Sequence, residues 1–198
     1  MSVNDIQATS DTQNMSVSSS TTDREILDKI RVGGSEADLA FRALYGRYGK
    51  RIYAYALKVM RSDSRASDIT HDVFMKLLMA IKDGAMIDNL AAYVMRITRN
   101  LCINARRNNN MEYVEPDQVD PVDHAVETPE QRDMREHVLR AIDELPEVYR
   151  EALVLQLYGG LSYAEICDVT GETLPTIRHR ISRAKERLRK KLLPLFTV

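Results

Sequence analysis

The stretch LSYAEICDVTGETLPTIRHRI, Leu161–Ile181, contains two short helical patterns joined at a glycine. Ser162 stands where a helix N-cap is needed, and Glu165 follows at the spacing of a capping box. Ala164, Ile166 and Val169 are expected to supply the apolar contacts of that first helix. Gly171 permits the left-handed backbone that a tight turn between helices requires. Thr173 is placed to cap the second helix, and Pro175 suits its first turn. These are the parts of a helix-turn-helix.

The second helix continues through TLPTIRHRISRAKERLRKKL, Thr173–Leu192, which holds eight Arg/Lys and one acid, Glu186. Ile177, Ile181, Ala184 and Leu188 fall within about 60° of one another on a helical projection, forming one narrow stripe. Thr176, Arg180, Arg183 and Arg187 line one flank of that stripe, with His179 and Lys190 beside them. Arg178, Lys185 and Arg189 lie on the other flank. A helix held to its domain by one stripe, with cations on both sides, suits a DNA major groove. The flanking cations reach phosphates on both strands while the leading residues meet base edges.

This charge is local. The 198 residues carry a net charge of −1. Residues 1–107 hold 16 Arg/Lys and 12 Asp/Glu, residues 108–134 hold 1 and 8, and residues 135–198 hold 11 and 9. Two mildly basic blocks therefore flank an acidic connector, which implies two anion-binding surfaces on one chain. No apolar run approaches the ~18 residues needed to span a membrane. The N-terminus lacks the basic-then-apolar order of a signal peptide. Cys102 and Cys167 are far apart, make neither a metal spacing nor a disulfide framework, and are expected to be small core residues. A cytoplasmic location is expected.

Residues 1–22 are rich in Ser and Thr and are expected to be a disordered tail. DREILDKIRVGG, from Asp23, predicts a short helix stopped by Gly33-Gly34. Ser35 with Asp38 marks the start of a longer helix to about Met60, with Leu39, Ala43, Leu44, Ile52, Ala56 and Val59 facing inward. SDITHDVFMKLLMAIKDG repeats Ile69, Val73, Leu77 and Ile81 at helical spacing. Asp88 is expected to cap a helix through about Arg107, with Leu90, Val94, Ile97 and Leu101 as its core stripe. That helix carries Arg96, Arg99, Arg106 and Arg107, with Tyr93, Asn100 and Asn104 among them. Cations mixed with aromatic and amide groups suit unstacked single-stranded DNA.

The segment NNNMEYVEPDQVDPVDHAVE lacks a period and is acidic, so residues 108–127 are expected to be a flexible linker. Thr128-Pro129-Glu130-Gln131 then marks a capped helix that ends near Leu145. A helix from Pro146 to Tyr158 stops at Gly159-Gly160. The fold class is thus all-α, with two small helical domains, residues 23–107 and 128–198.

Four segments in this order resemble the extracytoplasmic-function (ECF) RNA polymerase sigma factors. They are AFRALYGRYGKRIYAYA, SDITHDVFMKLL, NLAAYVMRITRNLCINARR, and the block from AIDELPEVYREALVLQLYGG through RAKERLRKKL. The resemblance covers nearly all of residues 23–198 except the linker. It implies a protein that binds core RNA polymerase and directs it to promoter DNA, initiating transcription of a regulon under an anti-sigma factor. The first domain would recognise and open the minus-ten element, through Tyr93, Arg96, Arg99, Asn100, Asn104 and Arg107. The loop Lys82–Asp88 would receive a flipped promoter base. The second domain would read the minus-thirty-five element through Thr176, Arg178, His179, Arg180, Arg183 and Arg187. The face formed by Asp68, His71, Asp72, Met75 and Lys76 would dock on the polymerase.

The chain departs from the family pattern in places. Tyr93 replaces a frequent Trp, Asn104 a frequent Asp and His71 a frequent Gln, and Leu174-Pro175 opens the recognition helix in place of a small or polar pair. No cofactor, metal or catalytic constellation is expected. The four His lie in unrelated segments, no phosphate loop appears, and Asp68 and Asp72 lack the further ligands a metal site needs. Monomeric behaviour of the free chain is expected, as is one copy per polymerase.

Overall fold

The computed structural model describes residues 21–108 and 128–196; the expected tail, apart from its last two residues, and the body of the expected linker lie outside them. Among the described residues the architecture is all-α, with no strand.

The first group comprises α1 (Asp23–Val32), α2 (Ser35–Met60), α3 (Asp63–Lys82) and α4 (Leu90–Asn108). Helix α1 begins with a capping box in which the Thr22 side chain accepts from the Glu25 amide, and the Thr22 amide donates to the Glu25 carboxylate at 2.7 Å. Asp23, in its first turn, accepts hydrogen bonds from Arg47 and Tyr48 of α2, fixing the crossing of the two helices. The inward line of α2 runs through Ala40, Leu44, Tyr48 and Ile52 at four-residue spacing. Leu39, expected inside, is one step off that line and is 43% exposed. Gly34 occupies the N-cap of α2, so Ser35 is its first helical residue rather than its cap. In α3 the expected stripe Ile69, Val73, Leu77 and Ile81 is buried throughout.

The second group comprises α5 (Pro129–Asp143), α6 (Glu147–Leu157), α7 (Tyr163–Thr170) and α8 (Leu174–Leu192), followed by a 3-10 turn at Leu193–Phe196. Thr128 and Gln131 form the expected capping box at the start of α5, with Pro129 in its first turn. Ser162 and Glu165 form another at α7, where the Ser162 amide donates to the Glu165 carboxylate at 2.8 Å. Gly171 ends α7 at φ 75°, ψ 10°, the left-handed region. Helix α8 is held by Ile177, Ile181 and Ala184, all buried, with Leu188 half-buried. Ala164 is exposed, because the buried residues Ile166 and Val169 turn the opposite side of α7 inward.

One continuous apolar core joins the two groups. Helix α4 lies at the junction, packed on α2 and α3 on one side and on α7 on the other, while α2 also touches α6. Helix α4 therefore buries more than its expected stripe. Leu90 and Val94 are buried, Ile97 and Leu101 are half-buried, and Ala92, Met95 and Cys102 form a further buried line. Its N-terminal cap is Asn89 rather than Asp88: the Asn89 side chain accepts from the Ala92 amide at 2.9 Å. Burial pushes the Cys102 thiol up to about 12, so it packs as an uncharged apolar group.

A side chain at Gly171 would meet no neighbouring atom, but its backbone conformation disfavours any L-residue. Gly171→Ala is expected to cost about 1 kcal/mol. In thermal unfolding followed by circular dichroism this should lower the midpoint by roughly 2–4 °C. An unchanged midpoint would show that the turn relaxes without strain.

Candidate nucleic-acid interface

Helix α8 presents its cations as the stripe requires, but they are not equally free. Arg178, His179 and Arg183 are exposed. Arg180 reaches back to the turn before the helix, where its guanidinium donates to Glu172 at 2.6 Å. Its side chain is only 19% exposed. Arg187 lies over the Tyr149 ring of α6, 5.3 Å from the ring centre, in a cation–π contact. Arg183 and Lys190 share Glu186, at 2.9 and 3.0 Å. Lys190 first, and then Arg183, hydrogen-bond to Glu186 and hold it below the ordinary carboxylate range. At the start of the helix the Thr173 and Thr176 hydroxyls are 2.9 Å apart, and the Thr173 side chain makes no capping bond. The accessible residues of the candidate surface therefore begin with Arg178 and His179 and continue through Arg183 and Arg187, while Thr176 and Arg180 are half-buried.

Helix α3 turns Asp68, His71, Asp72, Met75 and Lys76 outward together, opposite its buried stripe. Met75 is 45% exposed. Beside this face lies a shallow apolar groove between α2 and α3, with Phe74 as its floor. Phe41 meets Phe74 edge-on at 5.8 Å, and Tyr45 stacks obliquely on it at 4.7 Å. Carboxylates, a cation and exposed apolar groups thus occupy one continuous surface.

Helix α4 divides its candidate residues between two faces. Asn100, Asn104 and Arg107 are exposed, and the half-buried Tyr93 shares their side of the helix. Arg96 and Arg99 point toward the second helical group. The Arg96 guanidinium donates to the Asp168 carbonyl at the end of α7, at 2.6 Å. Arg99 donates to Glu151 of α6 at 2.8 Å, and this pair is about three-quarters buried. Arg106, two turns beyond Arg99 on α4, pairs with Glu147, one turn before Glu151 on α6, at 3.2 Å. At the other end, Asn89 donates to Glu165 at 3.3 Å. Burial opposes ionisation of Glu165, but hydrogen bonds from Ser162 and Asn89 and the charge of Arg51 outweigh it, so its carboxyl lies below the usual range.

The loop before α4 is anchored by a residue that the sequence alone does not connect to it. Arg31 of α1 donates to the Ala85 carbonyl at 2.8 Å, which holds the loop while leaving Met86 87% exposed. Glu147, Glu151 and Asp168 are likewise absent from the expected site residues. They stand in another part of the chain, and only the tertiary packing brings them to α4. Among the described residues no cluster of three or more His, Cys, Asp or Glu is arranged to hold a metal ion, and no helix is long and apolar enough to cross a membrane.

The two helical groups also match separate family models. Residues 44–111 match sigma-70 region 2 and residues 135–188 match sigma-70 region 4. The chain belongs to the ECF sigma factors. It is 28% identical over 186 residues to the RNA polymerase sigma-H factor of Pseudomonas aeruginosa, covering 87% of this chain and 95% of that one. It is 29% identical over 163 residues to the ECF RNA polymerase sigma factor SigE of Mycolicibacterium smegmatis, covering 79% of this chain and 63% of that one. Two solved structures share the fold. CnrH, in complex with the cytosolic domain of CnrY, superposes with a TM-score of 0.66 at 22% identity, covering 86% of this chain and 96% of that one. RpoE of Bartonella quintana, in complex with the anti-sigma factor NepR, superposes with a TM-score of 0.62 at 24% identity, covering 77% and 96%. In this sigma factor region 2 therefore takes in α3 and α4, and region 4 contains the helix-turn-helix of α7 and α8.

Proposed function

We propose that this sigma factor divides its work among three surfaces, with residues 23–107 and 128–198 as its two functional domains. Helix α3 docks on core RNA polymerase through Asp68, His71, Asp72, Met75 and Lys76. Helix α4 and the loop Lys82–Asp88 engage the opened minus-ten strand through Tyr93, Arg96, Arg99, Asn100, Asn104 and Arg107. Helix α8 reads the minus-thirty-five duplex through Thr176, Arg178, His179, Arg180, Arg183 and Arg187. The observation that carries this reading is that each matched region holds a helix rich in cations with polar residues turned to solvent, α4 in the first, through Asn100, Asn104 and Arg107, and α8 in the second.

The physical division of labour follows from the nucleic acid. A duplex offers base edges only in its grooves, and α8, with Arg178, His179, Arg183 and Arg187 exposed, suits a major groove. An opened strand offers base faces and single phosphates, which suit an aromatic ring among amides and guanidinium groups. The acidic face of α3 suits a basic polymerase surface, where opposite potentials speed encounter and fix register. The protein performs no reaction of its own; it selects where the polymerase begins. It acts in the cytoplasm as one copy per polymerase, held in check by an anti-sigma factor.

Gel filtration with purified core RNA polymerase tests the docking surface. The native chain should co-elute one-to-one, and the Asp68→Arg/Asp72→Arg variant should elute free. A native chain that stays free while binding duplex DNA would point instead to a stand-alone DNA-binding regulator, expected to dimerise on paired half-sites.

Arg180 is the residue of α8 whose role the Glu172 contact sharpens. A guanidinium held in one orientation is suited to a base edge, where a good bidentate pair is worth about 1–3 kcal/mol of discrimination. Arg180→Ala is expected to weaken binding to promoter DNA by roughly tenfold or more while changing nonspecific binding much less. Equal loss on both DNAs, in titrations at one salt concentration, would reduce Arg180 to a phosphate contact.

A further inference from the structure

Helix α1 lies outside both matched regions, since the first of them begins at residue 44. It is nevertheless tied into the first helical group at both ends. At its start Asp23 accepts from Arg47 and Tyr48 of α2, and the Thr21 carbonyl accepts from Arg47 at 2.6 Å. Ile26, Leu27 and Ile30 bury its apolar face. At its other end the Arg31 guanidinium forks. One nitrogen donates to Asp28, three residues back, at 3.0 Å, and another donates to the Ala85 carbonyl at 2.8 Å. The second bond joins α1 to the loop between α3 and α4, 54 residues further on.

That loop is fixed on both sides of one exposed side chain. Gly84, at φ +80°, takes the left-handed conformation just after α3, and the Ala85 amide turns back to the Ala80 carbonyl at 2.9 Å. These are the features of a Schellman motif. The amide of Ala85 is thus held by α3 and its carbonyl by Arg31. Ile87 packs half-buried against the core, and Asn89 caps α4. Between these fixed points Met86 is 87% exposed. A thioether makes favourable contacts with aromatic rings, and a nucleobase offers one.

We propose that Arg31 is a positioning residue for base selection: through its bond to Ala85, α1 sets the loop that presents Met86 to a promoter base. This rests on the reading that gives the loop to a base flipped from the minus-ten element. The Ala85 carbonyl belongs to the peptide that joins Ala85 to Met86, so the Arg31 bond holds that peptide plane and with it the direction of the Met86 side chain. Asp28 acts through Arg31, holding the guanidinium where it reaches Ala85. A loop fixed in advance gives up little freedom when a base enters, whereas a loop that samples several orientations must be ordered at that moment. The consequence is selective. A misdirected Met86 distinguishes less between bases at the position it touches and leaves recognition elsewhere intact. Arg31 is otherwise exposed, and its replacement leaves the core residues of α1 in place.

The experiment uses holoenzyme assembled from core RNA polymerase and the full-length chain. A genomic fragment that the native holoenzyme transcribes supplies the promoter, and its minus-ten positions are randomised. Transcript counts from this library give the preference for each base at each position. Arg31→Ala is expected to reduce the preference at one minus-ten position by roughly threefold to tenfold, the effect of one lost hydrogen bond, with the other positions unchanged. Met86→Ala should lower the preference at that same position. Arg31→Lys keeps a donor but not the fork, and should restore part of the preference that Arg31→Ala loses. A uniform fall at every position in Arg31→Ala would mean a general structural role and would overturn the proposal. So would a native profile in Arg31→Ala while Met86→Ala alters its position, and in that case the loop reading would survive. Native profiles in both variants would remove the loop reading itself, and the proposal with it. A native holoenzyme that transcribes no fragment would remove the promoter reading beneath both.

Discussion

Helix α4 must satisfy three surroundings at once. One face packs against α2 and α3, a second packs against α7, and a third carries Asn100, Asn104 and Arg107 into solvent. A helix has room for this only because its faces are set by spacing: Leu90 and Val94 fall toward the first core, while Met95 and Cys102 fall toward the junction. The guanidinium groups at the boundary between apolar and wet faces then decide what the second helical group can touch. The position of α7, and with it the placement of α8, follows from that boundary.

The junction combines two kinds of interaction with different strengths. The apolar part, Met95 against the Gly159 turn, is indifferent to salt and depends on close fit. The ionic part is graded by exposure. Lys58 is 9% exposed and its pairing with Asp143 is protected from screening, whereas Arg106 and Glu147 are 52% and 70% exposed and contribute little. Breaking the protected pairs one side at a time leaves a partly buried charge unpaired, and that cost exceeds what the intact pair contributes.

The elements legible in the sequence are those whose signals are local. The capping boxes at Thr128 and Ser162, the left-handed Gly171, the stripe of α3 and the stripe of α8 each need only neighbours a few residues away. Helix α4 was legible as a basic helix with one stripe, but not as one buried on two sides. Met95 and Cys102 resemble ordinary spacer residues until α6 and α7 are placed beside them. The cap at Asn89, adjacent to the equally suitable Asp88, turns on which side chain reaches the Ala92 amide. The partners of Arg96 and Arg99 lie 72 and 52 residues away, across the linker, and no local period records them. The acids at 143, 147 and 151 do have helical spacing, but Pro146 interrupts it and conceals the row.

The central claim is that the two halves of this sigma factor serve separate promoter elements. The most direct measurement is the distance between the halves, read by energy transfer between fluorophores on Val32→Cys of α1 and Arg132→Cys of α5, with Cys167 replaced by Ser. The account predicts efficient transfer in the free chain and a marked fall when core RNA polymerase is added. Transfer that is equally high, or equally low, in both states would contradict it.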